Sequence, residues 1–479
     1  MSCSRSIRIH PDVNGELHAG VEAIRQEQKL SDAFPDAVER AAGQAAANPR
    51  LPALDRTDIP LLTLDPPAAM DLDQAMYMER RDDGYRVWYA IADVAAFVEP
   101  GGVIDEEARR RGETLYGADR KIPLHPKVLS EGAASLLPDQ LRPALLWQMD
   151  LDASGEGVAV DVRRARVKSR AKLDYRGMHE QIAAGRAGPM WALLKEIGEL
   201  RIARERKRGG ISLPLPEQEV RVIDGRLDLE YRPTLPIDQW NAQISLLTGM
   251  AAAHLMCEHK VGILRTLPPT PGWAIRRLHH TAHALHVDWP DGQGYAEFLR
   301  SLDPARPEHV AMMVAATTVF RGAGYAAFDG DLPEQPEHSA LAARYAHATA
   351  PLRRLVDRFS GEVCVALCAG EPVPQWALDA LPTLPDIMRE SATRAGRYEN
   401  AVLNLAESLV LESRVGECFE GAIIELDSGR ADRGDIMIRQ PAVEARIEST
   451  RELPLGQRVR ARLVKADPAS RQTQFELAD

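Results

Sequence analysis

The spacing of hydrophobic and polar positions changes several times along the chain, and each change marks a different kind of element. In the first 55 residues, GVEAIRQEQKL and DAVERAAGQAAA place apolar residues every three to four positions. That spacing predicts a small, mostly helical segment over 1–55, ending in the Pro-rich connection AANPRLPALDRTDIP. From Ile59 the period shortens. LLTLD is a short apolar run ending at Asp65, and QAMYMERR and YRVWYAIADVAAFV alternate or run apolar around Asp82-Asp83-Gly84, predicting a hairpin with its turn at Asp83-Gly84. GVIDEEARRRG at 102–112 reads as a charged helix, and LLWQMDLDASGEGVAVDVRRARVKSRA as two strands around Ser154-Gly155. Helical patterns follow over 176–207, 237–259, 306–322, 337–370 and 374–412. Beyond Val415, GECFEGAIIELD, GDIMIRQPAVEARIES, GQRVRARLVKAD and RQTQFEL give four to five short strands separated by turns, the pattern of a small OB-type barrel. The expected fold class is α+β: a large mixed domain over 56–412, an all-β barrel over 413–479, and the helical segment in front.

Composition adds limits. With 479 residues, 45% hydrophobic and 27% charged, the chain can bury a core unaided. It lacks a run of about 18 apolar residues, so no membrane span is expected. MSCSRSIRIHPDVNGEL has no apolar stretch after its charges, which argues against a secretory signal and for the cytoplasm. Five scattered cysteines predict no disulfide framework. Cys364 and Cys368 share a helix face without a nearby His or Cys, and are expected to be buried thiols. A net charge of -11 is unlike that of a simple nucleic-acid binder, yet basic residues cluster at 109–111, 163–172, 201–208 and Arg353-Arg354. Each cluster alone reads as a solvated face; together they are compatible with a polyanionic substrate.

The chemistry concentrates in TLDPPAAMDLDQA at 63–75. A strand ends at Asp65, two prolines stiffen a loop, and Asp71 and Asp73 follow at i, i+2, on the same side of an extended segment. If the loop folds back, the three carboxylates converge, and convergent anions raise one another's pKa unless a cation intervenes. Oxygen ligands without His or Cys favour magnesium, or manganese, over zinc. Such a site suits phosphoryl transfer. Taken alone, Asp-x-Asp is more often a solvated loop. A calcium loop is excluded because the pattern lacks the acidic fifth position and the glycine at the sixth.

The wider context is more specific. TLDPPAAMDLDQAM, YAIADVAAFV, Tyr116 ahead of KIPLHPKVLSEGAASLLPDQLRPAL, KLDYRGM at 172–178, KRGGISLPLPE at 207–217 and YAHATAPLRRLVD at 345–357 occur in that order. This series resembles the catalytic domain of the ribonuclease II family from about residue 56 to 370, with a family-like OB domain after it. The resemblance implies a magnesium-dependent exoribonuclease that degrades single-stranded RNA from the 3′ end to nucleoside 5′-monophosphates. It implies metal ligation by Asp65, Asp71 and Asp73, with Gln74 where the family usually has a fourth acid. Arg353 would hold the scissile phosphate with Arg354 close behind, Tyr175 would lie beside the terminal nucleotide, and Tyr116 would help position the cleaved end. Asp73, Arg353 and Tyr175 are the expected catalytic residues. The guanidinium fork suits phosphate, and aromatic rings hold bases of any sequence.

Other roles stay open: a core position for Tyr175, an ion pair for Arg354, and structural roles for His347 and Asp93. Gln74 predicts a weaker hold on a second metal. The helix at 240–253, where the family carries a functional glutamate, has no acid, and Gln243 is one candidate for that role. The N-terminal segment is too short for paired cold-shock barrels. The barrel offers only Phe419 and Phe475 for stacking, so its RNA binding is expected to rest on Arg430, Arg433, Arg439 and Arg446 more than on stacking. The expected partner is single-stranded RNA and the expected state a monomer. Two alternatives stand beside the nuclease: a catalytically inactive RNA-binding clamp, and a phosphodiesterase for short oligonucleotides or DNA.

Overall fold

Four antiparallel strands, Gln74–Arg81, Gly84–Ala92, Leu141–Asp152 and Gly157–Lys168, form the central sheet in sequence order. They are seen in a computed structural model that describes residues 7–9, 15–117, 121–211, 217–223, 226–232, 235–303, 306–320, 322–438 and 440–478. The near-continuous apolar run YRVWYAIA arises because both sheet faces are covered. Tyr85, Val87, Tyr89 and Ile91 share a core with Trp147 and Met149 and with the helices Pro189–Lys207 and Pro236–Glu258. Their alternates Trp88, Ala90 and Ala92 belong to a second core with Val38 and Ala42 of the helix Asp36–Ala47. The hairpin turn lies one residue earlier than the sequence suggests. Arg81 pairs with Gly84, so Asp82-Asp83 is the loop. Gly84 is needed in the strand, because a Cβ there would come 1.9 Å from the Leu151 carbonyl oxygen.

The two helices of the N-terminal segment serve different neighbours. While Asp36–Ala47 covers the sheet, Glu16–Glu27 packs Leu17, Val21 and Ile24 among Tyr398, Val402 and Leu405. Those residues belong to the 28-residue helix Leu384–Leu411, whose start (Leu384, Met388) lies in the sheet core and whose end joins the barrel core. The barrel strands Cys418–Asp427, Arg430–Ile438, Val443–Glu448, Arg458–Asp467 and Gln472–Leu477 close in the order first, second, third, fifth, fourth.

Several helical expectations are divided by glycine and proline. The pattern at 176–207 becomes Tyr175–Ala183 and Pro189–Lys207, separated by Gly185 at φ +67°. The largest departure is at 337–370. The helix occupies only Leu355–Ala369, and residues 337–354 form two short strands and an irregular segment. Pro351 has no N–H to give and disfavours helical geometry at Ala350. The Ala350 N–H instead bonds the Asp357 carboxylate at 2.8 Å. The strand pair Val261–Thr266 and Gly324–Asp329 was not evident from periodicity. Cys364 is buried and Cys368 half-buried, both as free thiols. Among the described residues no helix is long and apolar enough to cross a membrane.

Candidate active site

The acidic loop is folded back by backbone bonds rather than by its carboxylates. Thr63–Leu64 pairs in parallel with Lys172–Leu173, and the Asp65 N–H bonds the Leu173 carbonyl at 3.0 Å. Lys172 donates its Nζ to the carbonyls of Pro67, at 2.6 Å, and Ala69. The buried Ser135 hydroxyl accepts from the Leu72 N–H at 2.9 Å and donates to the Met70 carbonyl at 2.6 Å, gripping the chain on both sides of Asp71. Asp73 then meets the irregular segment before Leu355–Ala369. Its Oδ1 accepts from the Leu352 N–H at 2.8 Å, and its Oδ2 lies 3.5 Å from Arg353 Nε. Two motifs some 280 residues apart thereby form one site.

Burial raises the Asp65 carboxyl to about 6, with Asp71 pushing the same way and Lys172 and Arg353 opposing. Burial raises Asp73 to about 8, although Arg353 and the Leu352 N–H favour its charged form. Asp71 is held differently, with Lys121 Nζ 2.7 Å from its Oδ1 and 2.9 Å from Glu131 Oε1. Two acceptors outweigh burial and hold the ammonium above its ordinary pKa. Gln74 also faces the site, its Nε2 donating to the Thr349 carbonyl. The acids influence one another, yet among the described residues no three His, Cys, Asp or Glu side chains are grouped closely enough to share an ion. The Asp71 charge acts on both Asp65 and Asp73, and Lys121 engages Asp71 itself. The donor set still suits a hard divalent cation. It is all oxygen, and the burial that raises Asp65 and Asp73 disfavours their charged forms, which a bound cation would restore.

The two arginines differ sharply. Arg353 is 48% exposed at the side chain and sits beside Asp73. Arg354 instead turns inward to the fully buried Asp357, with contacts of 2.5 Å from Nε and 2.8 Å from Nη2. Two of its nitrogens are thus committed to an ion pair, the structural role that stood beside the RNA-binding one. Tyr116 is 43% exposed and pairs across a short strand from Lys121. Tyr175 opens the helix Tyr175–Ala183, capped by Asp174, which accepts from the Gly177 N–H at 2.8 Å. Its hydroxyl takes a 3.0 Å bond from Asn241, and burial pushes its pKa up to about 12. Asn241 stands on the helix where an acid was sought. Gln243 is turned away there, donating to Glu205 at 2.6 Å in the interior.

His347 bonds the Tyr325 hydroxyl at 2.7 Å, and burial keeps its imidazole well below the ordinary pKa, so it is a neutral structural group. Asp93 pairs with Arg164 at 2.9 Å behind the site. Phe419 is only 5% exposed and packs edge-on against Phe475 inside the barrel, which corrects its assignment as an RNA platform. Arg430, Arg433 and Arg446 are each paired with barrel acids, and Arg439 lies outside the described residues. Sequence reasoning passed over Arg458, Arg460 and Arg462. The alternation in RVRARL exposes all three along one face of Arg458–Asp467. It also missed Lys121, Ser135 and Asn241, whose importance depends on contacts distant in the chain.

The RNB domain family profile matches residues 54–360, and the profile of the RNase II-type exonuclease C-terminal S1 domain matches 417–478. Ribonuclease R of Escherichia coli (strain K12) is 31% identical over 328 residues, covering 64% of this chain and 39% of the relative. Ribonuclease R of Vibrio parahaemolyticus is 26% identical over 439 residues, covering 85% and 52%. The chain thus spans two fifths to one half of the length of these curated relatives. The apo form of Mycoplasma genitalium RNase R superposes with a TM-score of 0.85 at 17% identity, covering 97% of this chain and 78% of that one. Yeast Ssd1, a pseudonuclease, superposes with a TM-score of 0.68 at 14% identity, covering 91% and 56%. At these identities the structures establish a shared fold.

Proposed function

Because the chain belongs to the RNB domain family, we propose that it is a metal-dependent 3′→5′ exoribonuclease acting on single-stranded RNA and releasing nucleoside 5′-monophosphates. The observation that carries this reading is the junction of the acidic loop with the 350–354 segment, which sets a half-exposed guanidinium beside a buried carboxylate. Asp65, Asp71 and Asp73, with the Gln74 carbonyl, would hold magnesium. When bound, that ion supplies charge neutralisation at the phosphoryl oxygens and a more acidic water. Arg353, half-exposed beside Asp73, would fork onto the scissile phosphate. Tyr175 offers its ring to the terminal base while Asn241 fixes its hydroxyl, and Tyr116 lines the rim. Water attacks phosphorus, the P–O3′ bond breaks, and the remaining strand keeps its 3′-hydroxyl. In this reading residues 56–412 form the catalytic unit and 413–479 the RNA-binding barrel, with the N-terminal helices shared between them.

The inactive-clamp reading has its own support: Gln74 replaces an expected acid, Lys121 engages Asp71, and a pseudonuclease shares the fold. One assay separates the readings. Protein is incubated with 5′-labelled single-stranded RNA and matched DNA, with magnesium or EDTA, beside Asp73→Asn. A metal-dependent ladder ending in a short limit product, absent in the variant, is expected. Tight binding without cleavage in any metal would establish the clamp. Cleavage confined to short oligomers would indicate an oligonucleotide phosphodiesterase.

A further inference from the structure

The carboxylates of this site are not left to be neutralised by dissolved ions alone. Lys121 Nζ lies 2.7 Å from Asp71 Oδ1, at side-chain exposures of 20% and 14%. Glu131 grips the same ammonium from a second side at 2.9 Å, so the lysine is tethered over Asp71 rather than sampling solvent. The backbone reinforces this placement. Lys121 is paired through its strand to Tyr116, and Ser135 fixes the chain before and after Asp71. Magnesium needs ligand oxygens at about 2.0–2.1 Å and near-octahedral room. With an ammonium seated on Asp71 Oδ1, Asp71 would serve the one remaining ion through its other oxygen.

A second departure concerns the same region. Gln74 is neutral, and its amide nitrogen is committed to the Thr349 carbonyl. One change removes a negative charge from the cluster and the other brings in a positive one; both disfavour a second divalent ion. We infer that Lys121 is a built-in cation occupying the place of a second metal ion, so that the site takes a single divalent cation. Glu131 acts as its tether. Lys121 is in these terms a positioning residue, setting the charge and orientation of Asp71. The inference rests on the metal-dependent reading above.

Manganese alone tests it, without RNA. Metal-free full-length protein is titrated with Mn2+, and the free ion is counted by its electron paramagnetic resonance signal. Wild type is expected to bind one ion per chain, Lys121→Arg one, and Lys121→Met two, because Asp71 and Glu131 are then released. Two ions on wild type would overturn the inference while leaving metal dependence intact. One ion on a folded Lys121→Met protein, checked by circular dichroism, would also overturn it. Should Lys121→Met fail to fold, the wild-type and Lys121→Arg counts still decide. No bound ion on wild type would overturn both the inference and the metal-dependent reading.

Discussion

Arg353 and Arg354 are neighbours in sequence with opposite surroundings, and their substitutions should separate function from stability. Arg353→Ala removes a half-exposed fork and leaves no buried partner stranded in the core other than Asp73. Loss of a charge-assisted bond to phosphate costs about 1.5–3 kcal/mol. The expected result is a fall of roughly 10–100-fold in kcat/KM with little change in the unfolding midpoint. Arg354→Ala leaves Asp357 as a buried, unpaired carboxylate. Breaking such a pair costs about 3–5 kcal/mol, so its urea midpoint should fall well below wild type. At Gln74 the effect concerns metal demand. Gln74→Asp should lower the magnesium concentration needed for half-maximal activity, and an unchanged or higher requirement would remove this account of the residue. These distinctions were only partly legible in sequence: LRRLVD announces two arginines, but nothing local shows which turns inward.

Single elements also carry expectations of their own. Gly249, in the helix Pro236–Glu258, lets the segment that leads to Arg353 approach closely. A Cβ there would meet Tyr345 at 2.1 Å and the Ala346 carbonyl at 2.5 Å. Gly249→Ala should therefore cost ~1–3 kcal/mol in denaturant unfolding and reduce activity with it, because the loop carrying Arg353 must shift. On the barrel, Arg458, Arg460 and Arg462 recur at alternate positions of one exposed strand, about 7 Å apart by strand geometry. Replacing all three with serine should weaken RNA binding similarly across sequences and reduce the slope of log K against log salt by about 2. A slope unchanged from wild type would place the RNA elsewhere on the molecule. The alternation that exposes these arginines was visible in the sequence. The pairing of Arg430, Arg433 and Arg446 with acids on the same barrel was not, since it depends on strand register and folding of the turns.

For the molecule as a whole, buried histidines set an acid limit to stability. Burial lowers the His125 pKa to about 3, with the Arg358 charge adding to the effect, and lowers His338 to about 4. In the unfolded chain both titrate near 6.5. Between those values the unfolded state binds more protons, so stability falls as pH drops from about 6.5 towards 4. The melting temperature should decline through that window, and His125→Leu should flatten part of the decline. An equally steep curve for the variant would show that other groups set it.

What the sequence by itself determined was the content of the elements and the chemistry available. Short apolar runs bounded by turn residues specified the sheet, and alternation the barrel strands, because side-chain direction in a strand depends only on parity. The ordered motifs identified the family, and the oxygen-only donor set pointed to a hard cation. Helix limits were less secure where Gly185 and Pro351 interrupt an otherwise helical spacing. Tertiary structure alone decided the balance of charge. It seated Lys121 on Asp71, turned Arg354 into the core, sent Phe419 inside the barrel, and divided the N-terminal helices between sheet and long helix. The reason is range: periodicity reports neighbours a few residues apart, whereas a carboxylate's charge state depends on whichever groups folding brings within a few ångströms.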